Sequence, residues 1–541
     1  MLKLPQADTK ALLAIHGWSG VLLGLLLYVV ICTGVAAVFA EEINDWASPL
    51  PHASSTAAFP AGIDATTRRL ATQVEPQFHE EIAMFRSAGG RLNLRYHLHD
   101  TMPNGTPGER GVEFEVDPAT WQPLARREGW DDEIAEKTKP SGVADFLINL
   151  HVRLHIPDPY GLFVTGLLGL AMMIAAVTGI LIHRHLLADL FTLRLGRDAL
   201  LRRRDLHVVA GSWNLPFALV LAFTGSFFSF ASSVGLPAIA MVTFGGDQTA
   251  LIDTLYGTAR PENTAPAPLA NLEAMIADAR HRNDAEPNYV SITHYGRADA
   301  TVGINTVLPG DDLVYSSFIY DGTTGALIRE QPPLGKIPSM GASLVGMMYP
   351  LHFGNFAGLP SKSVWVALGT AAAYVSLTGM LLWTRRREEQ LAWRRMSRVV
   401  HYVGYGLPLA LVCAPYAFFV LRGRETPAIT VQDIAFLVVA ALAAFIAYAI
   451  EDLDRLRRVL LGITGVMLIG LPVIRMATGG PGWSTAWNAG IDAVPIVDIA
   501  LLAFGFICLW AARIRPVRTT ASAASISADA PAGITTEAHS A

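Results

Sequence analysis

The chain is predicted to be a mainly α polytopic membrane protein, with about eight transmembrane helices and two small α+β extracytoplasmic domains. Three observations predict this. Of its 541 residues, 52% are hydrophobic and only 16% charged, less charge than a soluble protein of this size carries. Apolar runs of spanning length occur near 12–40, 160–186, 207–232, 363–384, 401–421, 432–450, 457–475 and 494–512. The basic residues cluster in alternate connections.

The arginines orient the chain. Residues 183–206 hold Arg184, Arg194, Arg197, Arg202, Arg203 and Arg204, and 385–398 hold Arg385, Arg386, Arg387, Arg394, Arg395 and Arg398. Arg455, Arg457 and Arg458 follow the sixth run, and Arg513, Arg515 and Arg518 the eighth, whereas 422–431 and 476–493 carry fewer basic residues. By the positive-inside rule, both termini are cytoplasmic, and 41–159 and 233–362 lie outside.

The resulting organisation is one helix in 1–40, an outer domain in 41–159, two helices with a basic loop in 160–232, and a second outer domain in 233–362. A fourth helix follows in 363–384, four more in 385–518, and a disordered tail rich in Ala, Ser and Thr in 519–541. Val38-Phe39-Ala40 resembles a signal-peptidase site. The apolar stretch before it is longer than a usual signal core, so it reads as a retained helix. In the first outer domain, 64–86 has helical character and LNLRYHLH and VEFEVD read as strands, before a turn at Asp117–Trp121. In the second, 268–283 is helical, YVSITHYG, ATVGINTV and VYSSFIYD follow, and the turn is Asp321–Gly325. Each reads as a helix packed on a short antiparallel sheet. The first four helices therefore form a duplicated unit: helix, outer domain, helix.

The duplication carries the chemistry. His16, Gly20 and Thr33-Gly34 recur as His207, Gly211 and Thr224-Gly225 with identical spacing. At about 100° per residue, four residues turn 40° past a full circle and eighteen turn five circles, so the histidine and both glycines share a face. An imidazole beside side-chain-free backbone suits a flat ligand. In the second helix of each unit, Leu150-His151 precedes Thr178-Gly179, and Leu351-His352 precedes Thr378-Gly379. An ionisable side chain in a membrane helix is a functional hypothesis by default. His16 and His207 fall near the cytoplasmic face, and His151 and His352 near the outer face. Two such pairs are what two stacked b-type haems need, because imidazole on both sides of the iron suits electron transfer.

Other readings stay open. His155 shares a helix face with His151 and competes for its role, although Pro157 argues for a break there. His183, and less so His185 and His401, stand near the inner pair. A single membrane histidine is commonly a hydrogen-bond partner between helices, and glycines there serve packing; repetition at matched positions favours ligation. Arg202–Arg204 and Arg153 either set topology or pair with haem propionates. His97 and His99 read first as solvated surface and second, with an acid, as a metal site. Cys32, Cys413 and Cys508 form no CxxC pair, and no dinucleotide fingerprint occurs, so electrons from NAD(P)H would need another chain to collect them.

On the motifs HGWSG, LHVRLHIPDPYG, DLHVVAG, DGTTGALI and PLHFGNFAGLPSK, residues 10–390 resemble the PepSY-associated transmembrane helix family, which includes inner-membrane ferric-siderophore reductases. The resemblance implies two PepSY-like outer domains, haem b, and transfer of electrons from a cytoplasmic reductase or quinol to ferric iron in a siderophore. It implies lipid but no nucleic acid as partner. His183 departs from the family pattern, where an aromatic like Trp383 is usual. The last four helices lie outside the resemblance. A transporter with a histidine relay is the alternative, and it calls for acids in the spans, where Asp498 is the exception. A scaffold whose outer domains bind peptide or regulate a protease is a third reading, and it leaves the histidine pairs without purpose. Trp483 and Trp487 near the last loop fit an ordinary interfacial belt.

Overall fold

The computed structural model of the protein describes residues 5–514 apart from 48–58, 87–89, 104–106, 132, 135–141, 184–190, 192–198, 257–259, 308–314, 333–338 and 422–427. The expected tail at 519–541 and His185 lie outside the described residues.

The chain begins with a broken span. Helices α1 (Gln6–Leu22) and α2 (Gly24–Ala37) meet at Leu23 with a bend of 63°. The break falls between Gly20 and Gly24, where backbone without side chains weakens the helix; the single straight helix predicted over 12–40 does not form. After α3 (Ala40–Ala47) and α4 (Ile63–Ala71) come strands β1 (Glu81–Arg86), β2 (Leu92–Thr101), β3 (Pro107–Val116) and β4 (Pro123–Trp130). Helix α5 (Val143–Arg153) leads back to α6 (Tyr160–Ile182), and α7 (Ala199–Phe230) begins the second unit.

Helix α7 passes through a π-turn at Ala231–Gly235 into α8 (Leu236–Phe244), so the apolar span reaches 45 residues, Leu200–Phe244. At 1.5 Å per residue that is about 67 Å, against roughly 30 Å of hydrocarbon. The third span therefore does not stop at 232 as the hydropathy suggests. Helices α9 (Gln248–Tyr256) and α10 (Leu272–Asn283) precede β5 (Glu286–Thr293), β6 (Thr301–Val307), β7 (Tyr315–Asp321) and β8 (Leu327–Gln331). The membrane is regained through α11 (Met340–Phe353) and α12 (Leu359–Arg385), followed by α13 (Leu391–Leu421), α14 (Ala428–Ala449), α15 (Leu453–Ala477), α16 (Trp483–Asn488) and α17 (Ala493–Arg513). Among the described residues, seven helices are long and apolar enough to span, eight with the bent pair. The protein is thus a polytopic helical membrane protein.

The strands of the two segments predicted to lie outside do not form two separate sheets. They make one eight-stranded antiparallel sheet in the order β4-β3-β2-β1-β5-β6-β7-β8. The join is β1 against β5, with Ile82 opposite Ile292 and Met84 opposite Val290. Either half alone would leave a flat apolar strand at its edge, and such an edge recruits a partner strand. Period-2 alternation puts Leu92, Leu94 and Tyr96 on the face covered by α4 and α10, where Ile63, Leu70, Leu272, Met275 and Ile276 complete a shared core. The helices cap each other across the halves: Gly62 N donates to Glu273 Oε1 at 2.6 Å, and Leu272 N to Asp64 Oδ1 at 3.4 Å.

The last helices pack on the first unit. Tyr28 Oη donates to the carbonyl of Gly404 at 2.8 Å, within a cluster of Leu377, Met380, Val400 and Leu407. Arg475 and Asp498, both with no exposed surface, pair at 2.7 Å. Trp46 at 2.7 Å and Trp483 at 2.8 Å donate to the same carboxylate, which ties α3 to α15 and α17.

Candidate functional site

The four histidines of the repeat share one local design. Each lies on one helix, turns Nδ1 toward a group on a neighbouring helix, and rests its ring on that helix's glycine. Nδ1 of His16 is 2.9 Å from the carbonyl of Ala175 and 3.2 Å from Thr178 Oγ1. Nδ1 of His207 is 3.1 Å from the carbonyl of Val375 and 3.2 Å from Thr378 Oγ1. In the other pair, Nδ1 of His151 is 2.8 Å from the carbonyl of Val30, and that of His352 is 2.9 Å from Thr224 Oγ1. The carbonyls only accept, so the first three rings are held as the tautomer protonated at Nδ1, and their Nε2 carries the lone pair.

The glycines are seats. A Cβ added to Gly34 would stand 2.7 Å from Cε1 of His151; at Gly379 it would be 3.0 Å from Cε1 of His207, at Gly225 3.1 Å from that of His352, and at Gly179 3.5 Å from that of His16. The glycines of the Thr-Gly pairs, read in the sequence as bare backbone suited to a flat ligand or to packing, therefore seat histidines of other helices. Gly34 and Gly225, on the helices of His16 and His207, seat the histidines at the opposite end of the span. The signal in the sequence was their repetition; which helix they serve appears only in the packing. Gly20, one turn from His16, faces open space, with nothing within 4 Å of an added Cβ.

The histidines gather in two pairs. The rings of His151 and His352 lie 6.1 Å apart, centre to centre, at 31°, at the sheet end of the spans. His16 and His207 lie at the arginine-bearing end, each against a Thr-Gly pair, of α6 and of α12. Among the described residues, no hydrogen bond reaches Nε2 of any of the four. Two imidazoles on opposite sides of one iron stand about 6 Å apart, from about 2 Å per metal–nitrogen bond and about 1 Å from each nitrogen to its ring centre. The outer pair matches that separation, and an Nδ1–H held by a carbonyl is the usual support of a ligating imidazole. The residues fit a bis-imidazole haem.

The remaining candidates separate. His155 does not join the pair: Leu154 and His155 take left-handed backbone (φ +54° and +53°), ending α5 before Pro157. The turn points the ring back to Phe146 O at 3.2 Å and Asp433 at 3.4 Å. His183 sits at the C-cap of α6, four residues beyond Gly179. His401 binds the carbonyl of Ser397 in its own helix at 2.7 Å. Arg153 pairs with Asp158 at 2.5 Å. His97 lies 3.6 Å from Glu109 and 3.8 Å from Glu81, and burial lowers its pKa first, with the two glutamates opposing. Among the described residues no group of three or more His, Cys, Asp or Glu is arranged to hold a bare metal ion.

Fold and site together define a polytopic membrane protein with a duplicated helical core that buries paired, pre-oriented imidazoles. Over residues 13–386 the chain matches the PepSY-associated TM region, well over half its length, and it belongs to that family. It is also similar to an uncharacterised protein of Pseudomonas aeruginosa, 26% identical over 348 residues, 62% of this chain and 86% of that protein.

Proposed function

We propose that this protein is an inner-membrane haem b oxidoreductase that passes electrons from the cytoplasm to a periplasmic acceptor, ferric iron held by a siderophore. The observation that carries the reading is the fourfold recurrence of one arrangement: Nδ1 held by a neighbouring helix, the ring on a glycine, and Nε2 unengaged. In this reading His16 and His207 hold one haem toward the cytoplasm, and His151 and His352 hold a second toward the periplasm, with both termini cytoplasmic. Bound haem supplies a one-electron carrier whose iron keeps the same ligands in both oxidation states.

The residues of the chain do the rest. Nδ1 hydrogen bonds fix each ring's orientation and, for His16, His207 and His151, its tautomer, which lowers the reorganisation that accompanies each transfer. Glycine seats let the helices approach closely, and apolar spans exclude water. A cytoplasmic reductase or a quinol gives one electron per ferric ion reduced, and the ferrous ion leaves its hard-oxygen chelator because that ligand set favours the higher charge. The PepSY-like outer segments, fused into one sheet, stand on the acceptor side. A proton or metal transporter would need an available acid in the spans; Asp498 is fully engaged by Arg475, Trp46 and Trp483, and Asp433, near the start of α14, faces His155 and not the four histidines of the repeat.

A reduced-minus-oxidised optical spectrum of the purified protein, with haem quantified by pyridine extraction, tests this. Low-spin b-type bands at two haems per chain are expected. A colourless protein after expression with ample haem would overturn the reading.

A further inference from the structure

Two ring nitrogens near the His16–His207 pair have no role in the fold. Among the described residues, Nδ1 of His183 and Nε1 of Trp383 are buried without a hydrogen-bond partner, and such groups in a native fold call for a reason. The two positions are equivalent in the repeat. His183 follows Gly179 by four residues at the end of α6, and Trp383 follows Gly379 by four near the end of α12. Four residues are about one turn. Each ring therefore stands one turn beyond the glycine that seats an inner imidazole, on the same side, toward the arginine-bearing end. Trp383 fills the space left by Gly17, the residue after His16; a Cβ on Gly17 would fall 1.6 Å from the indole. The guanidinium of Arg387 lies 3.5 Å from the centre of the same indole. The second unit carries Val208 where the first has Gly17.

We infer that His183 and Trp383 are the hydrogen-bond donors to the two propionate carboxylates of the haem held by His16 and His207. The inference rests on the haem reading above and assigns the edge of that site. Both carboxylates of haem b leave one edge of the porphyrin, and a carboxylate is costly in hydrocarbon, so that edge faces the polar end of the span. Both unpaired nitrogens lie at that end. Hydrogen bonds to an ionised acceptor are the strong ones, and Arg387 adds positive charge beside Trp383. His183 is then a positioning residue that donates from Nδ1, not a ligand of the iron.

The test is titration of haem-stripped full-length protein with haem b and with its dimethyl ester, in which both carboxylates are masked. Wild-type protein is expected to take up two equivalents of haem and to bind the ester more weakly. His183→Phe and Trp383→Phe should each weaken one of the two haem equivalents by about ten-fold, with the low-spin spectrum unchanged. At that site the double variant should bind ester and acid alike, and His183→Gln, which keeps an N–H donor, should bind as wild type does. Two equivalents bound by the variants with the wild-type preference for the acid overturns this inference alone. So does a high-spin spectrum in His183→Phe, which would make His183 a ligand. Wild-type protein that binds no haem overturns the inference together with the functional reading.

Discussion

The helix that carries His16 is bent by 63° at Leu23, whereas the helix that carries His207 runs unbroken through the equivalent residue, Asn214, and past Pro216. With its amide turned to suit its neighbours, Asn214 donates to the carbonyl of Leu368 at 3.1 Å and accepts from Ala372 N at 3.3 Å, which braces α7 against α12. Leu23 has no such group. Yet both helices deliver an imidazole to one end and a glycine seat to the other. The duplicated feature is therefore the seat and the ring, and the backbone between them was free to diverge. The outer pair shows the same tolerance. His151 is held by the carbonyl of Val30, and His352 by the hydroxyl of Thr224. Surroundings differ as well: α17 packs on the first unit through Trp46, whereas α13 meets both units, through Tyr28 and through Leu377.

Variants can break this comparison. The largest effect is expected from His16→Ala or His207→Ala, which should remove one of two extractable haems, while His151→Ala or His352→Ala removes the other. If each single change removed both haems, the inner and outer pairs would not be independent sites. Next is the support of the outer rings: Thr224→Val leaves Nδ1 of His352 without its partner and should weaken that site about 10–100-fold in haem titration. Thr33→Val should change little, because its hydroxyl bonds to Val29 and Val30 in its own helix. The glycine seats predict a graded series. Haem retention should fall most for Gly34→Ala, by about 1–3 kcal/mol from overpacking, less for Gly379→Ala and Gly225→Ala, and least for Gly179→Ala, in the order of the 2.7, 3.0, 3.1 and 3.5 Å clearances.

Away from the sites the effect on haem should vanish. Asp498→Ala strands the buried Arg475 and should lower stability by about 3–5 kcal/mol in denaturant melts, with the haem bands of the folded fraction unchanged. The smallest effect belongs to the sheet. In the β5–β6 hairpin, hydrogen bonds from Arg297 hold the Asp299 carboxyl down to about 2, below an unfolded value of about 3.9. The stabilisation is present above about pH 4 and is lost as pH falls toward 2. Amide exchange in β5 and β6 should accelerate over that window in wild type and much less in Asp299→Asn.

Much of this architecture was legible because a bilayer imposes simple rules. Length and apolarity fix a span, and repetition of His with Thr-Gly singled out four imidazoles. His155 shows where spacing stops informing. Its i, i+4 relation to His151 holds only if α5 continues, and the left-handed backbone at Leu154 and His155 ends it. The bend at Leu23 was hidden in an unbroken apolar run, since hydropathy reports solvent preference and not helix continuity. The reach of α7 to Phe244 was hidden for the same reason. Asp498 was noticed as an isolated acid, but Arg475, Trp46 and Trp483, its partners, come from three other segments.

By itself the sequence determined the number and approximate place of the spans, the alternation of the arginines and the repeat of His, Thr and Gly, because each depends on local composition or short periodic spacing. The tertiary structure decided which glycine seats which ring, that β1 and β5 join two half-sheets into one, and that His155 turns away. Each of these depends on contacts between residues far apart in the chain, and only helices and strands brought together in space can set them.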